Sequence, residues 1–272
     1  MSLDPRARAP HGPPPMNHPP IPRAALVTGG ARRIGRAIVE TLAADGFAVA
    51  IHCQASRAEA EGLAAGIAAR GGRACVLVAE LGREDEVARL VPAAEAALGP
   101  LGVLVNNASV FERDDALDAT RASWDRHMEA NLRAPFVLAQ DFARRLPADA
   151  EGLVVNLLDQ RVWSPTPHFT SYTLSKAGLW SLTQTLALAL APRIRVCGIG
   201  PGPALANTRQ SAEQFARQAA GVPLQRGPEL AEFAAAMRFL LSARSFTGQM
   251  LALDGGQHLN WGATRPGEEP EE

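Results

Sequence analysis

From residue 23 onward, short apolar runs alternate along the chain with longer stretches in which apolar positions recur at helical spacing. The runs at 24–27, 47–52, 74–79, 103–106, 153–158, 195–199 and 250–253 read as strands. Between them, 34–45, 57–70, 84–98, 123–146, 172–191 and 229–242 read as helices. The strand candidates are almost uniformly apolar rather than alternating, as expected of strands buried on both faces of a parallel sheet. Right-handed crossovers then wind them into an α/β fold, one doubly wound parallel sheet with helices on both faces.

Composition changes this picture mainly at the ends. The chain has 272 residues, of which 47% are hydrophobic and 20% charged, enough apolar material for one core over 23–262. The proline-rich head, 1–22, and the acidic tail, 263–272, are expected to be disordered, because neither can bury enough apolar surface to offset the entropy of ordering. A formal net charge of −1 without a basic stripe gives no reason to expect a nucleic-acid partner. Cys53, Cys75 and Cys197 are widely spaced within apolar runs and read as buried thiols. No metal-ligand spacing is present, so no metal is expected. The head lacks the apolar segment of a secretory signal and no uninterrupted apolar run reaches ~18 residues, so a cytoplasmic protein without a membrane partner is expected.

Candidate chemistry begins where the first strand runs into Thr28-Gly29-Gly30-Ala31-Arg32-Arg33-Ile34-Gly35 and then a helix. A glycine turn of this kind presents backbone N–H groups and a helix N-terminus to an anion, such as a dinucleotide pyrophosphate; it can also simply reverse the chain. The second strand continues through Ile51-His52-Cys53-Gln54-Ala55-Ser56-Arg57, without the carboxylate that would bind a ribose 2′-hydroxyl. That absence, with Arg32, Arg33, Ser56 and Arg57 nearby, favours the 2′-phosphate of NADPH, although the arginines can also be solvated surface residues.

Further along, Tyr172-Thr173-Leu174-Ser175-Lys176 opens an apolar helix, and the i, i+4 spacing puts the phenol and the ammonium on one face. A neighbouring ammonium favours phenolate and is expected to draw this tyrosine, the only one in the chain, toward the working pH. The plainer reading is an aromatic cap and a surface lysine.

In order along the chain come the glycine turn, Asn106-Asn107-Ala108-Ser109, Asn131, the Tyr172/Lys176 pair and Gly200-Pro201-Gly202. Together they resemble the short-chain dehydrogenase/reductase family over about residues 23–261. The resemblance implies a Rossmann-type fold, NADPH as cofactor and a homotetramer. It assigns cofactor contacts to Gly29, Arg32, Arg33, Ile34 and Gly35 of the turn and to Ser56 after the second strand. Glu80 and Leu81 follow the third strand, Asn107 and Ala108 the fourth, and Pro201 and Gly202 the sixth. Tyr172 would exchange the substrate proton, Lys176 would hold the nicotinamide ribose, and Asn131 would anchor a water in a proton relay. An asparagine in a helix otherwise commonly faces solvent.

Two departures narrow the resemblance. Arg33 stands where the family usually has glycine, and Asp159 replaces the serine about a dozen residues before the tyrosine. Both are similar to pteridine reductases, as are Asn-Asn-Ala-Ser-x-Phe through Phe111 and the ending Asp254-Gly255-Gly256-Gln257-His258-Leu259. A pterin offers ring N–H and amine edges to carboxylate and guanidinium groups, and a face on which Phe111 can stack. The implied reaction is hydride transfer from NADPH to a ring C=N of a dihydropterin, with Arg33, Phe111, Asp159 and Tyr172 at the substrate. Phe111 can instead be a packed loop aromatic, and Asp159 a helix cap or a partner of Arg161. Against the family pattern, Ala55 replaces an expected phosphate-binding arginine, Glu80 an adenine-binding aspartate and Cys197 an asparagine. The segment 204–222 is expected to form a substrate lid. Two other functions remain open at this point: a carbonyl reductase acting on ketones or 3-oxo compounds, and a non-catalytic NADP-binding sensor.

Overall fold

A computed structural model describes residues 19–206 and 210–259. Its seven strands are β1 (Ala24–Val27), β2 (Ala48–Cys53), β3 (Ala74–Val78), β4 (Val103–Asn106), β5 (Gly152–Leu157), β6 (Ile194–Pro201) and β7 (Met250–Leu253). They form one sheet in the order β3-β2-β1-β4-β5-β6-β7, with every pairing parallel. The order reverses between β1 and β4, and the crevice beyond their C-terminal ends is where open α/β sheets bind ligands.

Successive residues of each strand feed two separate cores. Leu26, Leu104, Val154 and Val196 point to one face; Val27, Val105, Val155 and Cys197 point to the other. Helices α1 (Arg33–Ala44), α2 (Arg57–Ala69) and α9 (Leu230–Ser242) cover the second face. The first face is covered by α4 (Leu90–Leu98), α6 (Ala134–Arg145) and α7 (Thr170–Ala189). Uniformly apolar strands sandwiched in this way are the expected doubly wound fold.

The differences from the sequence reading have local causes. The predicted helix 84–98 is two: α3 (Glu84–Val87) and then α4. Pro92 has no N–H for the Ala88 carbonyl, and its ring crowds that carbonyl, so the chain breaks at Ala88 and Arg89. Similarly, the predicted helix 123–146 comprises α5 (Arg121–Met128), a π-helical turn at Glu129–Arg133, and α6. Here Pro135 withholds the N–H that a regular helix would give the Asn131 carbonyl, and Ala134 N–H bonds to the Glu129 carbonyl instead. Within the expected lid lies an unpredicted helix, α8 (Ala212–Ala220), started by a Ser211/Gln214 capping box.

Part of the head is described: the carbonyls of Pro19 and Pro20 accept from Arg244 (3.2 Å) and Glu151 N–H (3.1 Å), and Ile21 packs on the core. The remainder of the head, and the expected tail 263–272, lie outside the described residues. Cys53 and Cys197 are buried, whereas Cys75 is only half-buried; all three are free thiols. Among the described residues no helix is long and apolar enough to cross a membrane, and no cluster of three or more His, Cys, Asp or Glu side chains could hold a metal.

Candidate active site

The glycine turn is anchored on both sides. Thr28 Oγ1 accepts from the backbone N–H groups of Asn107 (2.9 Å) and Ala108 (3.0 Å), and the Asn107 amide donates to the carbonyls of Thr28 (2.9 Å) and Gly29 (3.0 Å). Gly29 adopts a positive φ of 61°, and a Cβ on Gly35 would run into the Gly29 carbonyl and the Asn107 amide. Arg36 N–H closes the first turn of α1 on the Arg32 carbonyl (3.1 Å), which leaves the amides of Arg33, Ile34 and Gly35, at the groove end of α1, without partners inside the helix.

These residues border a groove of about 430 Å³. It brings together Gly29, Arg32, Arg33, Ile34 and Gly35 from the turn, Ser56 after β2, Glu80 and Leu81 after β3, and Asn107 and Ala108 after β4. Arg32 is ion-paired with Glu59 at the rim. Arg57 is exposed, pairs with Glu61 at 2.7 Å and is outside the groove lining, so it follows the solvated reading. The Glu80 carboxylate accepts from Gln54 and from Gly82 N–H (3.1 Å).

Beside the groove lies a second cavity of about 270 Å³, lined by Arg33, Phe111, Asp159, Arg161, Tyr172, Pro201 and Gly202, among others. Arg33 lines both spaces. Its φ of 54° is in the left-handed region, which explains why glycine is common there in the family; its guanidinium donates to the carbonyls of Leu205 (2.9 Å) and Ala206 (2.7 Å). Phe111 stacks on Phe169 with ring centroids 4.6 Å apart, and presents itself edge-on to Tyr172 at 4.6 Å. It is therefore both a packed loop aromatic and a cavity wall.

Asp159 also combines its two readings. Its Oδ1 accepts from Arg161 N–H (2.9 Å), capping the short 3-10 turn Gln160–Val162, while its Oδ2 accepts from the Tyr172 hydroxyl at 2.7 Å. Burial, and next the Asp159 charge, push the Tyr172 phenol well above its ordinary value. The expectation that Lys176 would draw Tyr172 toward neutrality is therefore corrected. The Lys176 ammonium donates to the Leu157 carbonyl at 2.7 Å and lies 5.9 Å from the tyrosine ring centre, and its own pKa is lowered by burial to about 8. The Tyr172 phenol is therefore protonated at neutral pH.

Lys176 and Asn131 line neither cavity; both are buried, Lys176 on α7 and Asn131 in the π-helical turn. Asn131, at 1% exposure, does not face solvent. Its amide donates to the Val110 carbonyl (2.9 Å) and Ser175 Oγ (3.0 Å), and its Oδ1 accepts from Val110 N–H (2.8 Å).

Two features of the site, His52 and Asp114, were not anticipated from sequence. His52, buried in β2, accepts from Gly29 N–H at Nδ1 (3.2 Å) and faces the Ala79 carbonyl with Nε2 (3.1 Å), so it braces the glycine turn. Burial holds its pKa below the ordinary value, which suits a neutral ring with the proton on Nε2. Asp114, in the loop that carries Phe111, accepts from Ser171 N–H (3.0 Å) and so caps α7 from 57 residues away. Arg161 is buried beside Asp159. That ion pair is the one the sequence offered as an alternative for Asp159.

With this geometry in hand, comparison with known proteins is specific. The family model described as short chain dehydrogenase matches residues 23–217. A short-chain type dehydrogenase/reductase of Picea abies is 31% identical over 86% of this chain and 92% of its own length. A 3-oxoacyl-[acyl-carrier-protein] reductase of Staphylococcus epidermidis is 30% identical over 87% and 99%. Among solved structures, FolM alternative dihydrofolate reductase 1 from Brucella suis, in complex with NADP, is 54% identical with a TM-score of 0.85, covering 90% of this chain and 96% of that one. Its counterpart from Brucella canis, complexed with NADP, is also 54% identical, with a TM-score of 0.84 over 88% and 95%. The chain belongs to the short-chain dehydrogenase family.

Proposed function

We propose that this protein is an NADPH-dependent reductase of a pteridine, delivering hydride to a ring C=N of a dihydropterin. The observation that carries the reading is the hydrogen bond from Tyr172 to Asp159, a carboxylate where the family usually has a serine, in a cavity that Arg33 and Phe111 also line. The 54% identity to two FolM alternative dihydrofolate reductases supports it.

The groove fits the cofactor. Gly35 lets the first turn of α1 pack against the Gly29 carbonyl and Asn107, the residues at that N-terminus line the groove, and no carboxylate ends β2 to repel a 2′-phosphate. The amides of Arg33, Ile34 and Gly35 would hold the pyrophosphate, with Ser56 and Arg32 near the 2′-phosphate and Glu80 and Leu81 near the adenine. Lys176 would hold the nicotinamide ribose. Bound NADPH supplies the hydride. The protein supplies orientation and the proton: Arg33 and Phe111 fix the flat substrate, Tyr172 Oη gives its proton to the substrate, and Asp159 orients the hydroxyl. Asn131 would serve a water that returns the proton.

A second reading, a reductase of 3-oxo substrates, draws support from the Staphylococcus relative. Assembly as a homotetramer is part of our reading, supported by a shallow hollow in which half-buried Leu132, Phe136 and Leu182 are flanked by Glu129 and Arg133; so is a cytoplasmic location, supported by three free thiols. Purified protein tested for NADPH consumption with dihydropterins and with 3-oxo esters separates the two activities. Turnover of dihydropterins that Asp159→Ala reduces at least tenfold is expected, and turnover of 3-oxo esters alone would assign the second reading.

A further inference from the structure

We propose that Arg161 is a positioning residue for proton delivery: by clamping Asp159 against the aromatic cluster beside Tyr172, it holds the carboxylate where it accepts the tyrosine hydroxyl. Its kinetic consequences rest on the reductase reading; its structural consequences do not.

The side chain of Arg161 is 5% exposed and that of Asp159 14%, so the pair is largely withdrawn from water. A buried guanidinium is tolerable only when its charge is matched and its donors are used. Its Nη1 lies 3.3 Å from Asp159 Oδ2 and 3.4 Å from Oδ1, its Nε donates to Thr166 Oγ1 at 3.3 Å, and its backbone N–H donates to Oδ1 at 2.9 Å. The same residue thus holds Asp159 through both backbone and side chain, on a turn only one residue removed.

That double hold divides the carboxylate. Oδ1 is committed to the Arg161 backbone, which directs Oδ2 to the Tyr172 hydroxyl at 2.7 Å. The guanidinium meanwhile lies 5.6, 5.4 and 5.9 Å from the ring centres of Phe111, Phe169 and Tyr172, within cation–π range of all three. Phe111 comes from the loop after β4, Phe169 and Tyr172 from the start of α7, and Asp159 from the end of β5. One planar cation therefore ties the acceptor, the proton donor and the stacking wall together. Its charge opposes the rise of the Tyr172 phenol caused by burial and by Asp159. A lysine would keep the charge but not the broad, delocalised guanidinium that lies near all three rings.

The sole tyrosine makes the test direct, because tyrosine isotopically labelled at Cζ gives one NMR resonance, that of Tyr172. Arg161→Met and Arg161→Gln remove the charge, the second keeping a polar donor in case the first fails to fold. Arg161→Lys keeps the charge, and Asp159→Ala marks a tyrosine without its acceptor. In the uncharged variants the resonance is expected to move toward its position in Asp159→Ala, and in Arg161→Lys to stay near wild type. With a dihydropterin, the uncharged variants are expected to lose about tenfold in kcat while KM for NADPH changes less than twofold, with Arg161→Lys partly restoring kcat. An unmoved resonance and unchanged kcat in a folded but less stable uncharged variant would overturn the proposal and leave Arg161 a packing residue. So would an Arg161→Lys resonance displaced as far as that of the uncharged variants. If wild type reduces no dihydropterin, the reductase reading fails, and the resonance alone decides the role of Arg161.

Discussion

The groove at the β1–β4 switch point and the cavity beside it share Arg33 but are built from different materials. The groove consists largely of backbone: a glycine turn, the first amides of α1 and strand ends, braced by Asn107 and His52. The cavity consists of buried charge and aromatic rings, with Asp159, Arg161, Phe111 and Tyr172 arriving from three separate segments. Backbone geometry suits a ligand common to a whole family, whereas side chains can be exchanged to suit one substrate. A carboxylate in place of serine changes what the cavity can bind and leaves the groove intact.

Mutation can break this division. The largest effect is expected for Tyr172→Phe, which removes the proposed proton donor from the cavity. It should lower kcat about a hundredfold or more while leaving NADPH affinity, measured by quenching of protein fluorescence, within about twofold. The converse change is Gly35→Ala. Its methyl group would collide with the Gly29 carbonyl, so NADPH affinity should fall at least about tenfold in a chain whose circular dichroism is preserved.

A smaller effect concerns pH. Burial lowers Lys176 to about 8 from an ordinary 10.5, so between those values the unfolded chain binds a proton that the folded one does not. Stability from this residue is therefore lowest below about pH 8 and rises as pH climbs toward 10.5. Urea unfolding of wild type and Lys176→Met should show the difference between them changing in favour of wild type over that range; a constant difference would contradict the assignment. The smallest effect belongs to the groove rim. Glu59→Gln frees Arg32 from its ion pair and should tighten NADPH about two- to fivefold without changing NADH, measured by titration at low salt.

The same division explains what was legible in the sequence. Strands and crossover helices were readable because their apolar pattern is local, and the glycine turn because its backbone demands particular residues. Two interruptions, at Ala88–Arg89 and in the π turn bearing Asn131, carried a readable signal in Pro92 and Pro135. So did α8, in its Ser211/Gln214 capping box. Tyr172 stood out by its spacing from Lys176, and Asp159 and Phe111 through family resemblance, but the contacts of Phe111 with Phe169 and Tyr172 did not. His52 resembled any other residue of a buried strand, and Asp114 gave no sign that it caps a helix 57 residues away. Tyr172 was misjudged electrostatically because i, i+4 spacing showed Lys176 as its neighbour, whereas folding brings Asp159 to its hydroxyl and commits Lys176 to the Leu157 carbonyl.

The central claim is that Asp159 and Tyr172 make this member of the family act on a pteridine ring. Its most direct test is steady-state NADPH consumption by wild type and Asp159→Ser with a dihydropterin and a 3-oxo ester side by side. Wild type should prefer the dihydropterin and Asp159→Ser should lose at least about tenfold in kcat/KM for it. Equal use of both substrates by wild type, or an Asp159→Ser enzyme that reduces the dihydropterin undiminished, would contradict the account.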